Sequence, residues 1–162
     1  MKKCDPQKRR PSPKSRHETP PIFDPTSKAL YCGDSKVGWF YIDLYATNVY
    51  VMWPAGHDDV LRFMDETFPQ IDRSAMSDHN GWNGKTLQIL DNSGSDAGYL
   101  IALKQWDGTP KCHATLTHEA LHVACMVLSL RGFRLTPETE EVYTYLTDAI
   151  VRNLLEIITR FY

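Results

Sequence analysis

Apolar residues fall along this chain first in strand-like and then in helix-like patterns. Residues 38–53 are dense in aromatic and β-branched side chains, among them Trp39, Phe40, Tyr41, Ile42, Val49, Tyr50, Val51 and Trp53. Such side chains suit a pleated, half-buried surface. The run predicts two strands with a turn near Ala46-Thr47-Asn48, and a short third strand around Ala29-Leu30-Tyr31. Pro54-Ala55-Gly56 breaks the sheet, and Val60, Leu61, Phe63 and Met64 mark a short helix over residues 57–68. Residues 69–84 read as loop, with Asp78-His79-Asn80-Gly81 and Asn83-Gly84 as turn signals. A second pair of strands, 86–90 and 99–106, flanks the turn-forming residues 91–98.

The helical spacing takes over after Asp107-Gly108-Thr109-Pro110. Thr109 suits an N-cap and Pro110 the first helical position, while Gly132 suits the stop. The last helix is expected to begin at Thr136-Pro137, with Glu138, Glu140 and Glu141 favourably placed in its opening turns. Its apolar stripe reads Val142, Tyr145, Leu146, Ala149, Ile150, Leu154, Ile157, Ile158 and Phe161. A loop of about four residues between the two helices predicts antiparallel neighbours. The fold class expected is α+β, with a small antiparallel sheet, a central motif helix and a long C-terminal helix.

Composition changes the picture at one end only. The 162 residues suffice for one domain with a proper core. The net charge of -2 is the sum of two unlike parts. Residues 1–16 carry seven Lys or Arg against Asp5, or +6, and the remainder carries 11 basic and 19 acidic residues, or -8. Residues 1–25 also hold six of the prolines and almost no apolar content. They read as a disordered basic tail, and residues 26–162 as the folded domain. A basic tail can touch nucleic acid, but no aromatic interleaving supports base stacking here. No apolar run reaches the length of a membrane span and no apolar segment follows the basic N-terminus, so a cytoplasmic protein is expected. Cys4, Cys32, Cys112 and Cys125 form no C-x-x-C pair, which fits a reducing compartment.

The candidate chemistry lies in His118-Glu119-Ala120-Leu121-His122, an H-E-x-x-H pattern inside the helical stretch. Residues four apart share a helix face, so two imidazoles can meet one ion. With His118 at 0°, His122 falls near about 40° and Glu119 near about 100°. Glu119 is then too far round to be an equal ligand but is close enough to hold a water as general base. Leu121, Val123, Ala124, Cys125, Val127, Leu128 and Leu130 make this helix apolar almost all round, predicting burial. Polar groups in such a helix need partners, and a zinc ion would supply one.

A catalytic zinc usually takes three protein ligands and a water. A third histidine six residues on is absent, since that position is Leu128. The last helix, folded back, offers Glu138, Glu140, Glu141 and Asp148. Its helical geometry turns Glu140 to solvent but leaves both Glu138 and Glu141 beside the packed face.

His118-Glu119-x-x-His122 followed eighteen residues later by Glu141 resembles the gluzincin zinc metallopeptidases. Their third ligand is a glutamate on the helix after the motif helix. The string Glu141-Val142-Tyr143-Thr144-Tyr145-Leu146 also looks like the E-x-x-x-Y-L element of small phage proteins that carry a similar motif helix. The resemblance covers about residues 109–150. It implies a zincin-like fold, a zinc ion held by His118, His122 and Glu141, and peptide-bond hydrolysis with Glu119 as base. It also implies that the strand before the motif helix, residues 99–106, borders the cleft and pairs with an extended substrate.

Tyr145, one turn beyond Glu141, is a candidate to orient that carboxylate or face the substrate, and equally a core tyrosine. The expected partner is a peptide or protein substrate, offered as a flexible segment because so short a domain has little material for a deep cleft. Two other readings stay open. One is a deformylase-like zinc amidohydrolase, with Cys32-Gly33 as a faint echo of its cysteine ligand. The other is a structural or interaction protein, of phage type, whose zinc only holds the fold.

Overall fold

The computed structural model describes residues 30–68, 81–91 and 93–161. The basic tail, Ala29, residues 69–80 with His79, and Tyr162 lie outside the described residues. Five strands form one sheet: β1 (Leu30–Cys32), β2 (Ser35–Ile42), β3 (Thr47–Trp53), β4 (Gly84–Leu90) and β5 (Asp96–Leu103). The three helices are α1 (His57–Thr67), α2 (Pro110–Leu130) and α3 (Glu140–Phe161). No described helix is long and apolar enough to cross a membrane.

The strand order is β1-β2-β3-β5-β4. The expected all-antiparallel sheet is corrected in one place, since β3 and β5 run parallel, with Val51 opposite Ile101. Parallel neighbours need a crossover rather than a hairpin. Here the segment from α1 through β4 supplies it, because β4 hairpins antiparallel onto β5. The β2–β3 turn shares Ala46 with the sequence reading but lies earlier, since Thr47 and Asn48 already belong to β3. A 3-10 turn over Asp43–Tyr45 leads to Ala46, whose φ of 49° reverses the chain.

Strand alternation then sorts the core into two layers. Val49, Val51, Trp53, Tyr99, Ile101 and Leu103 point to one face, where α2 and α3 pack. Tyr50, Met52, Leu100 and Ala102 point to the other, against Val60, Phe63 and Met64 of α1. Side chains at successive strand positions must take opposite faces, so a sheet apolar on both sides needs helices on both.

Helix α2 begins at Pro110 as the sequence reading has it, and only its capping differs. Thr109 occupies the N-cap position of α2, yet its side chain makes no capping bond. Asp107 instead ties down the residue that enters the helix. Its Oδ1 accepts from the Thr109 N–H at 2.9 Å and from the Cys112 thiol at 3.0 Å. Hydrogen bonds from the Thr109 side chain, the Cys112 thiol and the Thr109 N–H bring the Asp107 carboxyl down to about 2. Gly132, with φ 80°, ends the α2 segment as expected.

The last helix starts at Glu140, not at Thr136-Pro137. Residues 136–139 instead form a turn in which Thr139 Oγ1 accepts from the Thr136 N–H at 3.0 Å. Glu138 therefore sits ahead of the helix, its carboxyl lowered by the Thr136 side chain and its own N–H.

Candidate metal centre

Helix α2 has three sides of unequal burial. Leu116, Ala120, Val123, Ala124 and Val127 are buried against the sheet and α3. Glu119, a little round the cylinder, faces β4. The remaining side carries His118, Leu121 and His122, all exposed. The expected all-round burial of α2 is thus corrected, because sheet and α3 cover only part of its circumference. The buried polar group of the motif is Glu119 alone, 6% exposed.

His118 and His122 meet as their spacing requires. Their Nε2 atoms stand 3.1 Å apart, with the ring planes perpendicular. Two nitrogens bound to one tetrahedral zinc at ordinary Zn–N lengths stand about 3.3–3.4 Å apart. A shift of a few tenths of an ångström would bring the pair to the spacing of two ligands of one ion. Neutral imidazole and carboxylate are the donors such an ion takes, so the motif fits the group.

The buried carboxylate of Glu119 is fixed by the strand beside it. Thr86 Oγ1 donates to Glu119 Oε2 at 2.7 Å and lies 3.1 Å from the Glu119 carbonyl oxygen. Pairing of Thr86 with Ile101 and of Gly84 with Leu103 puts both β4 residues on the α2 side of the sheet. Gly84 is the reason the helix can come this close. A Cβ there would stand 2.6 Å from Thr115 Cγ2 and 2.9 Å from Glu119 Cγ. Both distances are well inside ordinary contact, so any larger residue would push α2 away.

In comparisons with protein families, curated proteins and solved structures, nothing matches this chain.

The α3 side of the site is open. Ala114, Thr117, His118 and Leu121 of α2 and Thr144, Thr147, Asp148 and Val151 of α3 line a groove of about 740 Å³. Asp148 shares this groove with His118, and its carboxylate pairs with Arg152 at 2.9 Å. Glu141 lies in the first turn of α3 and is exposed. Seven residues separate it from Asp148, so the two acids share one side of the helix. Among the described residues no third His, Cys, Asp or Glu gathers with the two imidazoles into a cluster able to hold an ion.

Two other sequence expectations are placed elsewhere. Tyr145 is 70% exposed and is not part of the apolar stripe. The stripe runs through Tyr143, Leu146, Ile150, Leu154 and Ile158. Extended backwards, its 3–4 spacing meets Tyr143, whose hydroxyl donates to the Phe133 carbonyl at 3.1 Å. Cys32 packs in the cluster on the α1 face, so the sheet separates it from the histidines of α2.

The strand expected to receive substrate is corrected as well. β5 is paired on both edges over Tyr99–Ala102, by β3 and β4, so that stretch presents no open edge to a peptide. The outermost strand of the described sheet beside α2 is β4. Thr86 was not singled out from the sequence, and Gly84 was read as a turn signal whereas it opens β4, although a signal for both was there. Alternation along β4 sets Gly84, Thr86 and Gln88 on one face and Leu87 and Ile89 on the other. A small, polar face turned toward a core implies that something polar packs on it.

Proposed function

We propose that this chain is a zinc-dependent metallopeptidase built on a zincin-like domain. What carries the reading is one juxtaposition. Two imidazoles meet at 3.1 Å on an exposed helix face, and a buried carboxylate lies between them and an edge strand. A purely structural zinc site is closed by four protein ligands. Exposed imidazoles beside an open groove leave room for a water and a substrate instead.

His118 and His122 would hold the ion, with Glu141 as third donor by its resemblance to the gluzincin spacing. When bound, the ion supplies Lewis acidity, polarising a carbonyl and lowering the pKa of a water. Glu119 takes the proton of the attacking water and passes it to the leaving amine. An extended peptide adds to the outer edge of β4 rather than to β5, which brings its backbone past Thr86 and Glu119.

Calorimetric zinc titration of the purified protein tests the metal half of this proposal. One zinc per chain is expected, lost in His118→Ala and His122→Ala and kept in Glu119→Gln. Glu141→Ala should weaken it, while Asp148→Ala should leave it unchanged. No zinc binding by the wild type would remove the proposal. Weakening by Asp148→Ala alone would move the third donor two turns along α3.

A further inference from the structure

We infer that Thr86 is a positioning residue for the general base, an inference that rests on reading Glu119 as that base. A glutamate in H-E-x-x-H has three side-chain torsions, and a base must present one oxygen to the water in a single orientation. Glu119 is nearly fully buried, so its carboxylate cannot be ordered by bulk solvent. The structure supplies a hydrogen bond in its place, Thr86 Oγ1 donating to Glu119 Oε2 at 2.7 Å.

This contact uses one oxygen of the carboxylate and leaves the other, Oε1, for proton transfer. Oε1 is also confined, since a Cβ on Gly84 would stand 3.1 Å from it. The strand therefore acts twice. The Thr86 hydroxyl draws Oε2 toward β4, and the bare Cα of Gly84 leaves just the space that the carboxylate occupies. Thr86 is itself fixed, because β4 is paired to β5 along its length with Thr86 opposite Ile101. Its hydroxyl reaches the carboxylate from a rigid element rather than a loop, the arrangement that orients a site most tightly.

A valine at 86 keeps the β-branched shape and strand preference while removing the donor. A serine keeps the donor and removes only a methyl. Zinc-loaded wild type, Thr86→Val and Thr86→Ser are compared on a quenched-fluorescent pool of unstructured peptides, with zinc content and the ¹³C-carboxyl signal of Glu119 recorded for each. Thr86→Val should lose about 10- to 100-fold in kcat, the usual scale for removing an orienting partner. KM and zinc content should stay within about twofold of the wild type. Thr86→Ser should recover kcat to within about threefold, and the carboxyl signal should move in the valine variant alone.

Unchanged kcat in Thr86→Val, equal losses in both variants, or loss of zinc along with activity would overturn the assignment. If the wild type cleaves nothing, the metallopeptidase reading fails and the carboxyl signal alone decides. A shift in Thr86→Val reversed in Thr86→Ser upholds the positioning contact, and identical signals in all three overturn it.

Discussion

At the scale of single residues, the spacing of His118 and His122 was legible because four residues on a helix return to nearly the same direction. Glu119 was legible as a third, offset group, but its depth was not. Hydrophobic neighbours on α2 suggested that all three motif side chains were buried, whereas the fold buries only the one turned toward β4. Sequence periodicity gives an angle around a helix. It does not say which other element, if any, occupies that angle. Asp107 teaches the same lesson in reverse. Thr109 stands at the position that usually caps, yet its side chain makes no capping bond, and a carboxylate two residues earlier collects its N–H and the Cys112 thiol. Because the folded Asp107 carboxyl sits at about 2, below its ordinary value, its contribution is present above about pH 4 and is lost as pH falls toward 2. Asp107→Asn should therefore lower the urea midpoint at neutral pH, and the gap to the wild type should close between about pH 4 and 2. A gap independent of pH would mean that the charge is not what matters.

At the scale of elements, the strands and helices were largely readable, since their apolar rhythms of two and of three to four are strong. Strand order was not. Alternation in β3 and β5 fixes which side chains share a face, but the same alternation serves a parallel or an antiparallel neighbour. The sheet was accordingly expected to be antiparallel, and β5 rather than β4 was expected at the cleft. The start of α3 was missed because Thr136-Pro137 has the composition of a helix opening, while the Thr139 hydroxyl closes a separate turn there first. The packing of α2 on β4 carries a prediction of its own. Gly84→Val should cost about 1–3 kcal/mol, the usual penalty for overfilling a tight contact. Chemical denaturation measures it, and the zinc affinity of the variant should fall with it as α2 tilts. Wild-type stability in this variant would show that the helix and strand are not in firm contact.

At the scale of the whole molecule, three layers divide the work. The α1 face of the sheet is sealed by Tyr50, Met52, Phe63 and Met64. The opposite face carries α2 and α3, and their outer sides leave the two imidazoles and the groove accessible. This division also explains why Cys32 has no part in the site, since a five-stranded sheet stands between it and His118. The general architecture was legible from the order of rhythms along the chain. The choice of the proposed third donor was not, because Glu141 and Asp148 share one side of α3 at different levels along it. The central claim is that Glu119 moves a proton in peptide hydrolysis, and one measurement addresses it most directly. Zinc-loaded wild type and Glu119→Gln are compared for turnover of a quenched-fluorescent pool of unstructured peptides. The account predicts turnover by the wild type and a loss of at least about 100-fold in Glu119→Gln with zinc retained. Equal rates in the two proteins, or no turnover by a wild type that holds its zinc, would contradict it.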